Sequence, residues 1–142
     1  MPAMLPLERE LLFTAARDVL LAAMPETWAI YVYGSFARDE EWPTSDLDLA
    51  VLLPPAQDIP DFFGLLGEIY QRTHRDADVV NLRKVGDVLR REVLVDGRSL
   101  YVRYPQAVLG WEGTAMSSYA RHREEIHDIL EDFRRTGIGY AR

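Results

Sequence analysis

The sequence predicts an α/β domain in which a small mixed sheet of about four strands is flanked by helices. One observation supports this class, and a second supports a single domain. Segments with apolar residues at helical spacing alternate along the chain with short runs of β-branched and aromatic residues. The chain has 142 residues and no repeat or linker, so it is long enough to bury one core of its own. We therefore expect a single domain over residues 1–142.

The helices follow from apolar periodicity and from the residues that end it. The first run stops at Pro25, and Pro60 lies in the first turn of the second, where Gly64 and Gly67 weaken the pattern. Asp96-Gly97 ends the third helix. The predicted helices cover residues 7–24, 60–71, 84–95 and 106–135, the last interrupted near residues 110–113, and a short helix covers residues 35–39.

The strands are predicted from short apolar runs bounded by turn residues. The first reads WAIYVY, the second ends at Pro54-Pro55, the third reads ADVVNL and the fourth precedes Pro105. These strands cover residues 28–33, 47–53, 77–82 and 100–104.

Composition and charge exclude several functional classes. There is no cysteine, which rules out disulfides and thiolate zinc sites. The net charge is −7 and Lys84 is the single lysine, so we expect no direct binding to nucleic acid, and any side-chain contact to phosphate would come from arginine. No apolar stretch approaches the roughly 18 residues that a membrane span needs, and the N-terminus lacks the features of a signal peptide. We expect no membrane partner and a cytoplasmic location.

The segment YVYGSFARDEEWPTSDLDLAVLL carries the pattern most informative about function. Gly34 and Ser35 follow one predicted strand, and after a further ten residues Asp46 and Asp48 open the next. A glycine–serine turn leading into a helix offers backbone N–H groups to a phosphate. Aspartates at i and i+2 on a strand point to one face, so both can bind one hard cation. The pattern predicts phosphoryl or nucleotidyl transfer.

A third carboxylate is expected from a neighbouring strand. Asp78 lies within the predicted third strand, whereas Asp76 fits the solvated loop before it better. A turn residue at a strand entrance would explain Asp46 equally well, but Asp48 lies inside an apolar alternation, where aspartate lowers β-propensity. Clustered carboxylates repel one another without a cation, so the set predicts Mg²⁺ or Mn²⁺. Arg38, one turn beyond Ser35, is a candidate phosphate ligand or a solvated surface arginine.

These residues resemble a known superfamily. The combination of Gly34-Ser35, Asp46-x-Asp48 and a later strand aspartate, Asp78, is similar to the DNA polymerase β-like nucleotidyltransferases. The likeness is greatest to minimal nucleotidyltransferases (MNT), including the antitoxins of HEPN/MNT toxin–antitoxin pairs, and spans a catalytic core of about residues 28–104. The helical segment 106–136 follows it.

The resemblance implies the polymerase β-like fold and an enzyme that uses ATP and Mg²⁺ to attach AMP to a hydroxyl. In MNT antitoxins that hydroxyl belongs to a tyrosine of the partner HEPN toxin, a ribonuclease. By this resemblance Gly34 and Ser35 hold the triphosphate, while Asp46, Asp48 and Asp78 bind the metals. Where the family often has glycine after Arg38, this chain has Asp39.

Two further functions remain open on the sequence. One is an antitoxin that neutralises its partner by binding alone, and the other is a nucleotidyltransferase for a small acceptor such as an aminoglycoside. The last helix bears on the first of these, because it carries an apolar set that could dock a partner. We expect this set to pack on the sheet instead; its members are Ile126, Ile129, Leu130 and Phe133.

Overall fold

The computed structural model describes residues 4–136. Over this range the chain forms four α-helices, four β-strands and one 3-10 turn. Their order is α1 (Pro6–Ala23), β1 (Ala29–Tyr33), the 3-10 turn (Gly34–Phe36), β2 (Leu47–Leu52), α2 (Phe62–Thr73), β3 (Ala77–Asn81), α3 (Asp87–Asp96), β4 (Arg98–Val102) and α4 (Pro105–Thr136). The predicted α/β class with a small flanked sheet is confirmed.

The four strands form one mixed sheet in the order β3-β2-β1-β4. β1 pairs antiparallel with both β2 and β4, whereas β2 pairs parallel with β3. Consequently the end of β1 and the beginnings of β2, β3 and β4 lie at the same edge of the sheet. The residues predicted to act on phosphate and metal all belong to this edge.

Helices cover both faces of the sheet. Leu47, Leu49 and Val51 of β2 join a core with residues of α1 and α2. Ala50 and Leu52 point the other way and pack with residues of α3 and α4. Fully burying a side chain such as Leu49 stabilises the fold by about 1.5–3 kcal/mol. Because side chains alternate along a strand, Asp48 lies on the α3–α4 face, opposite the leucines.

The predicted interruption of the last helix is wrong, because α4 runs unbroken through Gly110 and Gly113. Each helical glycine costs about 1 kcal/mol relative to alanine. Tertiary contacts outweigh that cost: Val108 and Ala115 are buried, and the Tyr31 hydroxyl donates to Oε2 of Glu112 at 2.7 Å.

Several element boundaries also differ from the prediction. α3 begins at Asp87 rather than at Lys84, because residues 82–85 form a turn in which Asn81 accepts backbone N–H groups. β4 begins at Arg98 rather than at Leu100, since its pairing with β1 sets its ends. The short helix expected over residues 35–39 is instead a 3-10 turn over Gly34–Phe36.

α2 starts at Phe62 rather than at Pro60. The preceding residue, Asp61, caps it: the Asp61 side chain accepts a hydrogen bond from the backbone N–H of Gly64 at 3.3 Å. An aspartate side chain at this position satisfies one of the N–H groups that a helix start leaves without an intrahelical partner. The cap therefore decides where the helix begins.

The second half of α4 does not pack on the sheet, which corrects our expectation. All residues from 121 to 131 are exposed. The apolar side chains in this part of the helix are 45–51% exposed; they are Ile126, Ile129, Leu130 and Phe133.

None of the helices within residues 4–136 is long and apolar enough to cross a membrane.

Candidate active site

The sheet register brings the predicted site residues to one place. Asp48 is the antiparallel register partner of Tyr33, which immediately precedes Gly34, and the parallel register partner of Asp78. Asp46 directly precedes β2 and is exposed. The glycine–serine turn and the carboxylates on β2 and β3 are therefore neighbours, although up to 44 positions separate Gly34 from Asp78 in the sequence.

Gly34 has a backbone conformation and a setting that exclude a side chain. Its φ is +71°, in the left-handed region that favours glycine. A Cβ built at this position would lie 2.4 Å from Oδ2 of Asp48. The turn that follows is closed by the Ala37 N–H, which donates to the Gly34 carbonyl at 3.2 Å. Ser35 is half-buried within this turn.

The carboxylate of Asp48 lies in strongly negative surroundings. Burial raises the pKa of Asp48, and the negative charges of Asp78, Asp46 and Glu92 raise it further. Arg38 opposes this effect, because its positive charge lowers the pKa of Asp48. Asp46, Asp48, Asp78 and Glu92 form the carboxylate cluster, and Arg38 is the positively charged group that acts on Asp48 within it.

Arg38 reaches this cluster from the turn. Its Nε lies 3.3 Å from Oε2 of Glu40, and its Nη1 lies 3.8 Å from Oε1 of Glu92 on α3. The Arg38 side chain is 41% exposed, so it is neither a purely solvated arginine nor a buried one. A guanidinium held by carboxylates at the mouth of the cluster is available to exchange those partners for a phosphate.

The loop between the turn and Asp46 is anchored from α1. The buried Arg9 donates from Nε and Nη2 to Oε1 of the buried Glu41, at 2.9 and 2.7 Å. Asp39 lies in the same loop with a φ of +56° and places Oδ1 3.4 Å from the Arg9 Nε. Aspartate tolerates the left-handed conformation better than most residues. The loop therefore keeps, with Asp39, a backbone conformation that glycine adopts most easily.

Two residues of this site were not predicted from the sequence. Glu92 lies in the middle of α3, and its charge acts on both Asp48 and Tyr33. Burial raises the pKa of Tyr33 to about 12, with further contributions from Asp48, Asp78 and Glu92. No sequence signal marks Glu92, because only the packing of α3 against the sheet brings it to this edge.

The chemistry of these side chains suits a hard divalent cation. The donors are carboxylate oxygens, the ligands that Mg²⁺ and Mn²⁺ prefer, and their mutual repulsion at Asp48 is what a bound cation would relieve. Among residues 4–136, however, no group of three acidic or histidine side chains is arranged to enclose a metal ion. The register pair Asp48 and Asp78 is thus the framework of an open site, which Asp46 borders from the strand entrance.

The chain is similar in sequence to known proteins. Residues 19–106 match the family described as polymerase beta, nucleotidyltransferase. The protein adenylyltransferase MntA of Shewanella oneidensis is 30% identical over 109 residues, which cover 77% of this chain and 78% of MntA.

Solved structures share the fold. A toxin–antitoxin complex with AMP-PNP contains a chain that matches with a TM-score of 0.73 and 24% identity, over 86% of this chain and 98% of the other. A complex of a tri-AMPylated Shewanella oneidensis HEPN toxin with its MNT antitoxin matches with a TM-score of 0.70 and 24% identity, over 89% and 98% of the two chains.

Proposed function

Since this chain belongs to the polymerase β nucleotidyltransferase family, we propose that it transfers AMP from ATP to a hydroxyl group of a partner protein. The partner we propose is a HEPN-type toxin, the acceptor is a tyrosine hydroxyl, and the chain acts as the antitoxin. The observation that carries the proposal is the register of Asp48 with Asp78 beside the Gly34 turn. Two findings support a protein acceptor: one relative is a protein adenylyltransferase, and one solved structure of the same fold is a complex with an AMPylated HEPN toxin.

The proposed reaction assigns a role to each part of the site. The acceptor oxygen attacks the α-phosphorus of ATP, the bond from that phosphorus to the bridging oxygen breaks, and pyrophosphate leaves. The Gly34-Ser35 turn holds the phosphates with backbone N–H groups and the serine hydroxyl. Asp78 accepts the proton of the attacking hydroxyl. Arg38 binds the departing phosphates once they displace Glu92 and Glu40.

Asp46, Asp48 and Asp78 are the residues that would hold Mg²⁺ or Mn²⁺. Bound there, the cation would supply positive charge for the phosphates and for the leaving pyrophosphate. The chain itself contributes the oxygen ligands and leaves room for them, because Gly34 has no side chain to displace the Asp48 carboxylate.

The second half of α4 is the surface that we propose for the partner. His122 lies 3.4 Å from the first residue of α3, Asp87, so the 14 residues from 123 to 136 extend beyond α3. At 1.5 Å per residue this extension is about 21 Å long. The helix face on which Ala115 is buried continues along the extension as the exposed set of Ile126, Ile129, Leu130 and Phe133. Adenylylation of a protein requires such a docking surface, because the acceptor tyrosine must be presented at the sheet edge.

Intact mass spectrometry of a HEPN-type partner tests the proposal. The partner is incubated with this chain, ATP and Mg²⁺, and mass gains in whole AMP units are expected. The double variant Asp46→Asn with Asp48→Asn should abolish the gain. Asp76→Asn, which removes an exposed charge one residue before β3, is the matched control and should leave it intact.

Two other outcomes would replace the proposal. A partner that binds tightly and stays inactive without any mass gain would identify an antitoxin that acts by occlusion. Transfer of AMP to an aminoglycoside, with none to the protein, would identify a small-molecule acceptor.

A further inference from the structure

Arg75 makes an unusual set of contacts for a residue outside the carboxylate cluster. Its Nη1 donates to three backbone carbonyls of one loop, those of Trp42 at 2.9 Å, Pro43 at 3.0 Å and Ser45 at 3.3 Å. Its guanidinium carbon also lies 5.2 Å from the centroid of the Phe36 ring. Each of these partners belongs to a segment that the site depends on.

The segments joined by Arg75 are the three parts of the proposed site. Phe36 is the last residue of the turn that begins at Gly34. The Ser45 carbonyl immediately precedes Asp46, and Arg75 itself lies three residues before Asp78. The Arg75 side chain therefore contacts both the Gly34–Phe36 turn and the segment that leads to Asp46. The backbone of Arg75 in turn leads to Asp78.

The starts of β2 and β3 are hydrogen-bonded directly to each other. The backbone N–H of Leu47 donates to the Asp76 carbonyl at 2.8 Å, which aligns the starts of β2 and β3. The first part of the loop is held separately by the buried pair of Arg9 and Glu41. Arg75 holds the remaining part, where the chain enters Asp46.

We propose that Arg75 is a positioning residue for nucleotidyl transfer: it holds the Gly34–Phe36 turn at a fixed distance from Asp46, Asp48 and Asp78. It touches no reacting atom and acts through the loop carbonyls and the Phe36 ring. This inference rests on the proposed function. A displacement of about 1 Å between reacting groups can cost a hundredfold in rate, so the loss of this contact is expected to reduce kcat rather than ATP binding.

The chain offers a matched control. Arg103 makes the same two kinds of contact at the opposite end of β1: its Nη1 donates to the Pro25 carbonyl at 2.8 Å, and its guanidinium carbon lies 5.2 Å from the Tyr104 ring centroid. Arg75→Met and Arg103→Met therefore each remove a carbonyl contact and a ring contact, and only Arg75 adjoins the site. Arg103 differs in that its side chain donates to one carbonyl rather than three and lies 3.8 Å from Oε2 of Glu26.

The test measures transfer kinetics and amide hydrogen exchange in both variants. We expect Arg75→Met to lower kcat by roughly 10- to 100-fold with a KM for ATP within about threefold of wild type, while Arg103→Met stays within about twofold in both. Amide hydrogen exchange of residues 42–47 should become about tenfold faster in Arg75→Met and should stay unchanged in Arg103→Met. Arg75→Lys should recover much of the lost rate, because an ammonium group can donate to the same carbonyls.

Equal kcat values for Arg75→Met and Arg103→Met would overturn the inference, as would unchanged exchange in residues 42–47. Arg75→Lys no better than Arg75→Met would contradict the role of the carbonyl contacts. If the wild-type chain transfers no AMP, the proposed function fails, and the exchange measurement, which needs no substrate, still decides whether Arg75 holds the loop.

Discussion

Gly34 lies so close to the Asp48 side chain that no carbon atom fits between them. A Cβ at position 34 would lie 2.4 Å from Oδ2, 3.3 Å from Cγ and 3.5 Å from Cβ of Asp48. The contact joins the first residue of the phosphate turn to the proposed metal ligand on the neighbouring strand. The glycine thus serves both the turn, through its φ of +71°, and the carboxylate, through its missing side chain.

Gly34→Ala should therefore reduce activity more than stability. The left-handed conformation costs alanine about 1–2 kcal/mol, and the methyl group must also displace the Asp48 carboxylate. We expect transfer to fall at least about 100-fold, while the chain still folds. Gly67→Ala is the control, because a Cβ at that helical position meets nothing within 4 Å, and it should be neutral or stabilising by up to about 1 kcal/mol. Full activity of Gly34→Ala would show that the carboxylate position is not critical.

Asp48→Asn should stabilise the metal-free protein at neutral pH. The pKa of Asp48 is raised in the folded state, by burial first and then by Asp78, Asp46 and Glu92. The folded chain therefore binds this proton more tightly than the unfolded chain does. The resulting stabilisation is complete below the unfolded pKa of about 3.9 and is lost as the pH rises through the higher folded pKa.

Thermal unfolding in a chelator checks this expectation. The Tm of Asp48→Asn should exceed that of wild type at pH 7, and the difference should vanish near pH 3. Mg²⁺ should raise the Tm of wild type but not of the variant, since a cation would relieve the same repulsion. Asp76→Asn controls for the removal of one charge from a chain of net charge −7. A wild type more stable than Asp48→Asn in chelator at pH 7 would contradict the assignment.

Position 39 should accept glycine but not alanine. The φ of Asp39 is +56°, and its side chain is 70% exposed, so its contact with the buried Arg9, which already binds Glu41, contributes little. Asp39→Gly is expected to change the free energy of unfolding by less than about 1 kcal/mol, because glycine adopts a positive φ freely. Asp39→Ala should lower it by about 1–2 kcal/mol, because the left-handed conformation is strained for alanine. Chemical denaturation of the two variants side by side measures the difference. Equal stability of the two would mean that the loop relaxes to a negative φ.

Ile129→Glu should separate partner docking from nucleotide binding. Ile129 is 45% exposed on the apolar face of the α4 extension, and none of the residues of the carboxylate cluster belongs to this helix. The substitution should weaken binding of a HEPN-type partner by at least about tenfold and leave AMP-PNP binding with Mg²⁺ unchanged. Asp128→Arg, a charge change at the preceding position, is the control and should preserve partner binding. Titration calorimetry measures both ligands, and unaltered affinity of Ile129→Glu would place the docking surface elsewhere.

The sequence alone determined the fold class and the main residues of the candidate site. Alternation of helical and strand periods predicts the α/β class, and Asp48 within an apolar strand is unexplained by packing, so its position in the pattern already indicates function. The spacing of Asp46 and Asp48 places both on one face of a strand because side chains alternate with a period of two. Each of these inferences depends on neighbours within a few residues, and the backbone conformation of a single element is enough to set such local geometry.

The features that depend on residues far apart in the sequence were decided by the tertiary structure alone. The continuity of α4 through Gly110 follows from the Tyr31 contact with Glu112, and the presence of Glu92 at the site follows from the packing of α3 on the sheet. The contacts of Arg75 join three segments that are separated in the chain. Local propensity differences of about 1 kcal/mol are smaller than the free energy of burying a few side chains, so packing, rather than sequence pattern, set these features.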